Sequence, residues 1–287
     1  MSYTTLVSAA TLQQNLDNPD WIIVDCRFSL SDVDAGGYAY RHGHIPNARY
    51  AHLNQDLSST VSSYSGRHPL PDFRALANKL GTWGIANQRQ VVVYDDANGA
   101  FAGRLWWLLR CLGHKPVAVL DGGITYWRQQ GLPVTTILPS VKPAPFRPYL
   151  DNTAWLTARD VQNRLAQRAL CLIDARTPER YLGKQEPIDP IAGHIPGALN
   201  RPFQLNLAGN GLFLPTDELR GQFKRIAGTM APEQVVHYCG SGVTACHNLL
   251  AMEQAGLKGS KLYAGSWSEW IKDKNRPIAL INTIIQR

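Results

Sequence analysis

The sequence contains no apolar run of about 18 residues, the length that a membrane-spanning helix requires. It also lacks a dense run of basic residues, because its 29 Lys and Arg are scattered among 22 Asp and Glu. The resulting formal charge of +7 favours small anionic partners over a nucleic acid. Residues 1–21 have neither the basic start nor the apolar segment of a secretory signal. We therefore expect neither a membrane nor a nucleic acid as partner.

Cysteine is scarce, and its pattern excludes two common uses. The five cysteines form no CxxC pair and no cluster with histidine, which argues against a disulfide framework and against a zinc site. Free thiols are typical of a reducing compartment, so we expect the cytoplasm. Cys26, Cys111 and Cys171 lie in or beside apolar segments, and Cys246 lies inside a predicted helix; all four are expected to be buried residues that fill space. Cys239 lies in a different setting.

The chain is an internal duplication. Four segments of the first half recur in the same order 143 to 150 residues later: WIIVDCR (21–27) as LCLIDAR (170–176), HGHIPNAR (42–49) as AGHIPGAL (192–199), VVVYDD (91–96) as VVHYCG (235–240), and DGGITYW (121–127) as AGSWSEW (264–270). In each copy, short β-branched runs alternate with helical windows, which predicts an α/β fold with parallel strands. We expect tandem duplicated domains, each a mostly parallel sheet flanked by helices.

The proline-rich segment 135–151 divides the two copies. Its four prolines and lack of periodicity predict a stiff, extended linker. The expected organisation is an N-terminal, non-catalytic domain over residues 1–134, the linker over 135–151, and a C-terminal catalytic domain over 152–287.

The two copies differ at one corner. After the apolar strand, the first copy continues with Asp95, whereas the second continues with Cys239. The expected active-site loop consists of Gly240, Ser241, Gly242, Val243 and Thr244. Glycines allow a tight turn whose N–H groups converge, and a helix begins directly afterwards. Both features stabilise a thiolate, so Cys239 is the predicted nucleophile.

Two other classes of protein compete with this interpretation. A cysteine phosphatase requires an arginine six residues after the nucleophile, but that position is Ala245. A non-catalytic interaction module is the second alternative, since Asp95 already makes the first copy incapable of thiol chemistry.

The duplication, the HIPGA box and CGSGVT together resemble the two-domain rhodanese (sulfurtransferase) family, over residues 5 to 280. The resemblance implies a cysteine persulfide that carries sulfane sulfur, and no metal or organic cofactor. The neutral loop resembles the 3-mercaptopyruvate branch, with thiosulfate as the alternative donor. The resemblance also implies a thiophilic acceptor such as cyanide, a small thiol or a thioredoxin-like protein. A monomer is expected, since the duplication already supplies two lobes.

Arg180 is the expected carboxylate-binding residue. The family places a substrate-binding arginine here, and the first copy has Ser31 at the equivalent position. A guanidinium grips a carboxylate with two hydrogen bonds. The mercaptopyruvate branch often has a second arginine nine residues later, where this chain has Asp189. Arg176 is repeated as Arg27, which indicates a structural pairing.

The first copy offers a possible assistant, His44. The resemblance relates it to a histidine near the loop serine that assists proton transfer, with Asp32 or Asp34 as an acidic partner. Because the box recurs with His194, a structural role in a turn is the alternative. Phe28 and Phe101 match aromatic positions that line the family's site, and ordinary core packing is the alternative for both.

Overall fold

The computed structural model describes residues 2–280 and 283–285, and within them the chain forms two units. The first comprises the chain through Ser59, Leu70–Asp151 and Ala208–Phe213. The second comprises Thr60–Pro69, Asn152–Leu207 and the chain from Leu214 onward. The domain boundaries predicted from the repeat differ here: they place residues 60–69 in the first domain and residues 208–213 in the second, whereas the structure groups each segment with the other unit. The predicted outer ends, at residues 1 and 287, lie outside the described residues.

The first unit is a parallel sheet with helices between its strands. The strand order is β1-β5-β4-β2-β3, and every pairing is parallel. In chain order its elements are β1 (Leu6–Val7), α1 (Ala9–Gln13), β2 (Trp21–Asp25), α2 (Ala35–Arg41), β3 (Ala48–Tyr50), α3 (Phe73–Thr82), β4 (Gln90–Tyr94), α4 (Ala102–Cys111), β5 (Val117–Leu120) and α5 (Gly123–Gln129).

The second unit repeats this topology. Its parallel sheet has the order β6-β10-β9-β7-β8, and an antiparallel hairpin follows. The elements are β6 (Trp155–Leu156), α6 (Ala158–Ala166), β7 (Cys171–Asp174), α7 (Pro178–Tyr181), β8 (Leu199–Asn200), α8 (Thr216–Ala227), β9 (Val235–Tyr238), α9 (Ala245–Gln254), β10 (Lys261–Tyr263), α10 (Ser266–Trp270), β11 (Ile278–Leu280) and β12 (Thr283–Ile285), with 3-10 turns at Phe203–Asn206 and Pro232–Gln234. The predicted fold class is confirmed.

Helix ends follow the capping signals of the sequence. Asp72 accepts a hydrogen bond from the backbone of Ala75 at the start of α3, and Thr157 forms a capping box with Asp160 at the start of α6. Gly84, just beyond α3, has a φ of +79° that suits glycine at a helix end. No helix within residues 2–280 and 283–285 has both the length and the apolarity to cross a membrane.

The segment 135–151 is extended and is fastened to the first unit along its length. Its backbone N–H groups donate to carbonyls of that unit: Ala144 to Gly81 at 2.9 Å, Tyr149 to Leu112 at 2.9 Å and Asp151 to Cys111 at 2.8 Å. These bonds explain how a segment with few buried side chains keeps a defined path.

A buried ion pair recurs at the end of the equivalent strand in each unit, β2 in the first and β7 in the second. Arg27 contacts Asp25 at 2.6 Å, and Arg176 contacts Asp174 at 2.7 Å, with all four side chains at most 2% exposed. Each guanidinium also donates to a backbone carbonyl of the same unit, that of Gly43 or Gly193. A pair present in both copies has a structural role, as its repetition in the sequence predicted.

Candidate active site

Cys239 lies directly after β9, at the carboxyl end of a central strand, and is 2% exposed. Its N–H donates to Oγ of Ser266 at 3.1 Å, and its carbonyl accepts from the N–H of Trp267 at 3.0 Å. The carbonyl of Gly240 accepts from the N–H of Ser268 at 2.9 Å. The start of α10 therefore holds the backbone on which the sulfur is mounted.

Gly242 allows the loop to turn back toward the sulfur. Its φ is +75°, and a Cβ there would lie 2.3 Å from the carbonyl oxygen of Ala264, so no other residue fits without rearrangement. Its N–H donates to Sγ of Cys239 at 3.2 Å. The predicted glycine turn thus supplies one of the hydrogen bonds that a thiolate needs.

The loop favours the thiolate form of Cys239 despite its burial. Burial by itself raises the pKa of the thiol, but the hydroxyl of Thr244 and the N–H groups of Ser241, Ala245 and Val243 donate to the sulfur and outweigh it. The net result is a pKa of Cys239 below its ordinary value. Thr244 precedes α9, so its hydroxyl serves the sulfur instead of capping the helix.

The first unit has the same kind of loop, but a carboxylate fills it. Asp95 is fully buried after β4. Its two oxygens accept four backbone hydrogen bonds of 2.8 Å, whose donors are Ala97, Gly99, Phe101 and Ala102. Asp95 therefore places a carboxyl group where the second unit holds a sulfur; burial raises the pKa of this group, and the four N–H donors oppose that shift.

The histidine that contacts the loop serine is His68, which sequence reasoning missed. Nδ1 of His68 lies 2.7 Å from Oγ of Ser241, and both residues are buried in the second unit. The prediction had given this contact to His44. The only available signal was the motif GRHP at 66–69, which has no equivalent in the second copy.

His44 instead makes contacts suited to a structural role. Its ring nitrogens lie 2.7 Å from the carbonyl of Tyr40 and 3.1 Å from that of Ile137, within the first unit. His194 repeats the first contact in the second unit, with Nδ1 2.7 Å from the carbonyl of Tyr181. Both rings stack on the tyrosine that they contact. The turn-stabilising alternative therefore has the better support.

The other first-copy candidates also lie in the first unit. The rings of Phe28 and Phe101 pack edge to face with centroids 5.6 Å apart. Asp32 and Asp34 are exposed, and the N–H of Asp34 donates to the carboxylate of Asp32 at 3.1 Å. These contacts favour the core-packing alternative for the phenylalanines and give the two aspartates a local role.

Arg180, in α7, belongs to a continuous chain of ion pairs in the second unit. The members of this ion-pair chain, in order of contact, are Asp174, Arg176, Glu186, Arg180, Asp189 and Arg67. Arg180 lies 2.7 Å from Glu186 and 3.1 Å from Asp189. Nη2 of Arg180 would lie 3.4 Å from a Cβ placed on Gly240, so the predicted substrate-binding arginine is beside the cysteine loop.

Comparison with known proteins agrees with the sequence and the geometry. The Rhodanese-like domain family matches residues 8–130 and 157–273. The chain belongs to the rhodanese-like family. It is 47% identical over 281 residues to a Pseudomonas aeruginosa protein named "Probable 3-mercaptopyruvate sulfurtransferase", covering 97% of this chain and 99% of that one. It is 33% identical to the thiosulfate sulfurtransferase of Cricetulus griseus, covering 93% and 92%.

Structural similarity extends over both rhodanese-like units. The crystal structure of SseA from Escherichia coli, a 3-mercaptopyruvate sulfotransferase, matches with a TM-score of 0.80 at 31% identity. The match covers 93% of this chain and 100% of that one. The resemblance inferred from the repeated motifs is thus confirmed.

The lowered pKa of Cys239 predicts a pH dependence of alkylation. The thiolate fraction grows as pH rises through the pKa, so the midpoint of iodoacetamide labelling at Cys239 should lie below that of an ordinary cysteine. Thr244→Val removes the hydroxyl donor and should move the midpoint to higher pH. Peptide mass spectrometry across a pH series measures both midpoints, and an unchanged midpoint in the variant would contradict the assignment.

The carboxylate of Asp95 should be important for the stability of the first unit. Asp95→Asn replaces one acceptor oxygen by an NH₂ group facing two N–H donors, and should lower the free energy of unfolding by about 2 kcal/mol or more. Chemical denaturation measures the change. Asp96→Asn, at the exposed neighbouring position, is the matched control and should have little effect. Equal effects would mean that the buried contacts are unimportant.

Proposed function

We propose that this chain is a sulfurtransferase that moves sulfane sulfur from 3-mercaptopyruvate to a thiophilic acceptor through a persulfide on Cys239. The observation that carries the proposal is the hydrogen-bonded sulfur at the end of β9, in a loop that lowers its pKa. Position 245, where a cysteine phosphatase would need arginine, is a buried alanine at the start of α9. The loop therefore suits sulfur chemistry better than phosphate chemistry.

In the first half-reaction, the thiolate of Cys239 attacks the sulfur of the donor. A sulfur–sulfur bond forms, the carbon–sulfur bond of the donor breaks, and its electron pair remains on the pyruvate enolate. The donor's thiol proton ends on that carbon, so the products are pyruvate and Cys–S–S⁻. The contact between Ser241 and His68 provides a donor–acceptor pair able to relay this proton.

In the second half-reaction, a nucleophilic acceptor takes the outer sulfur. The acceptor's lone pair forms the new bond to sulfur, and the electron pair of the persulfide bond returns to Cys239 as thiolate. The hydroxyl and N–H groups of the loop donate to Sγ of Cys239, which is one bond away from the outer sulfur of the proposed persulfide, and preorganised donors of this kind stabilise an anion without rearranging. Two separate half-reactions give ping-pong kinetics.

The donor's carboxylate is assigned to Arg180. This arginine is 15% exposed and lies beside Gly240, which places a guanidinium next to the reactive sulfur. Thiosulfate is the second candidate donor, supported by the resemblance to thiosulfate sulfurtransferases at 33% identity. It is an anion without a carboxylate, so the two donors use the same cation differently.

We further propose that the acceptor is cyanide, a small thiol or a thioredoxin-like protein, and that the enzyme acts as a monomer in the cytoplasm. The five cysteines are free thiols, which suits a reducing compartment. The persulfide itself selects for thiophilic nucleophiles.

Cys239→Ser should abolish turnover while leaving the fold intact. Incubation with 3-mercaptopyruvate should add the mass of one sulfur to the wild-type protein and to Cys171→Ser, the control at a buried cysteine of the same unit. Intact-protein mass spectrometry makes the measurement. The proposal would be overturned if Cys239→Ser still gained the mass of one sulfur, or if the wild-type protein gained none.

Arg180→Gln should raise the Michaelis constant for 3-mercaptopyruvate more than that for thiosulfate, because only the former presents a carboxylate to the guanidinium. A loss of one charged hydrogen-bonding group typically weakens binding about 10- to 100-fold. Steady-state kinetics with both donors supplies the comparison. An equal increase in the Michaelis constants for both donors would show that Arg180 interacts with the negative charge of a donor and not specifically with a carboxylate.

A further inference from the structure

The resemblance to the mercaptopyruvate branch predicts a second arginine nine residues after Arg180, where this chain has Asp189. This aspartate is 7% exposed, and its two oxygens contact two different guanidinium groups. One oxygen lies 3.1 Å from Nη2 of Arg180, and the other contacts Nη1 of Arg67. The carboxylate of Asp189 therefore forms ion pairs with both Arg180 and Arg67.

Arg67 reaches the same part of the cysteine loop as Arg180. A Cβ on Gly240 would lie 2.9 Å from Nη2 of Arg67 and 3.4 Å from Nη2 of Arg180. The backbone of Arg67 is fixed, since its N–H donates to Oγ of Ser268 at 3.1 Å. Burial lowers the pKa of Arg67, and the main opposing influence is the charge of Cys239, which reflects how near the two groups are.

The Arg67 guanidinium is only partly used by the protein. Its Nη1 contacts Asp189, while its buried Nε has no hydrogen-bond partner among residues 2–280 and 283–285. The side chain is 28% exposed, compared with 2% for that of Asp189. The Arg67 side chain is therefore accessible to an incoming anion, whereas the carboxylate of Asp189 is buried.

Building on the sulfurtransferase function proposed above, we propose that Arg67 and Arg180 together bind the donor's carboxylate beside Gly240, and that Asp189 favours singly charged donors over doubly charged ones. Arg67 is then a substrate-binding residue. Asp189 is a positioning residue that also sets the charge of the arginine pair.

The charges of the ion-pair chain support this selectivity. Its three arginines alternate with three carboxylates, so its formal charges cancel. 3-Mercaptopyruvate with a protonated thiol carries one negative charge, whereas thiosulfate carries two. Because Asp189 lies within contact of both arginines, its charge opposes each added negative charge of the donor. The dianion is penalised more than the monoanion.

Pyruvate tests the carboxylate subsite without any sulfur transfer, since it is the donor without its sulfur. Arg67→Gln should weaken pyruvate binding about 10- to 100-fold, as expected for the loss of a charged hydrogen bond. Arg67→Lys retains the charge without the planar fork and should recover only part of this affinity. Isothermal titration calorimetry measures both. Arg225→Gln, at an exposed arginine of α8, is the control and should bind as the wild type does.

Asp189→Asn separates charge from positioning. Removing the negative charge should raise kcat/KM for thiosulfate relative to that for 3-mercaptopyruvate by about 10-fold. A loss shared equally by both donors would mean that Asp189 only holds the arginines in place, and would overturn its selective role. Wild-type pyruvate affinity in Arg67→Gln would overturn the assignment of Arg67.

These outcomes are distinct from failure of the proposed function. If the wild-type protein acquires no sulfur on Cys239 from either donor, the sulfurtransferase proposal itself fails. If it acquires sulfur normally and Arg67→Gln still binds pyruvate as the wild type does, only the arginine pair is wrong. Circular dichroism of each variant confirms that the comparison is made on folded protein.

Discussion

A buried negative charge at a strand-to-helix corner must be met by converging N–H groups, and the rest of the site depends on this constraint. In the first unit, four backbone N–H groups donate to the carboxylate of Asp95. In the second unit, N–H groups and a hydroxyl donate to the sulfur of Cys239. The loop backbone presents N–H donors to an acidic side chain in both units. The identity of that one residue therefore determines whether the loop holds a structural carboxyl group or a reactive thiol.

The neutrality of the cysteine loop has a consequence for the surrounding charges. Since Gly240–Thr244 contribute hydrogen bonds and no cation, the charge that attracts the donor must come from elsewhere in the unit. The formal charges of the ion-pair chain cancel, so the attraction has to be local, and we assign it to the guanidinium groups of Arg180 and Arg67 beside Gly240. The first unit keeps a buried ion pair, Asp25–Arg27, but has Ser31 in place of Arg180. The first copy therefore lacks both the thiol and the outer cation.

The sequence predicted the features that repeat or that differ between aligned copies. The repeated parallel α/β domains and the corner at Cys239 follow from comparing the two halves, and the family resemblance adds Arg180. His68 and Arg67 could not be found in this way, because an alignment of repeats assigns each residue to its own copy. Residues 60–69 belong to the second unit although they lie in the first half of the sequence. Only the folded chain shows that this connection, with no periodicity of its own, completes the site.

The grouping of residues 60–69 with the second unit also changes the interpretation of Asp189. In the linear sequence, an acid at the position of an expected arginine argues against binding a carboxylate. In the structure, Asp189 holds Arg67, so the second guanidinium beside Gly240 comes from a distant segment and the acid is what fixes it there. Two arginines lie beside the loop, and the carboxylate that joins them reduces their combined formal charge by one. On the proposed arrangement, an acid at position 189 is compatible with carboxylate recognition and favours singly over doubly charged donors.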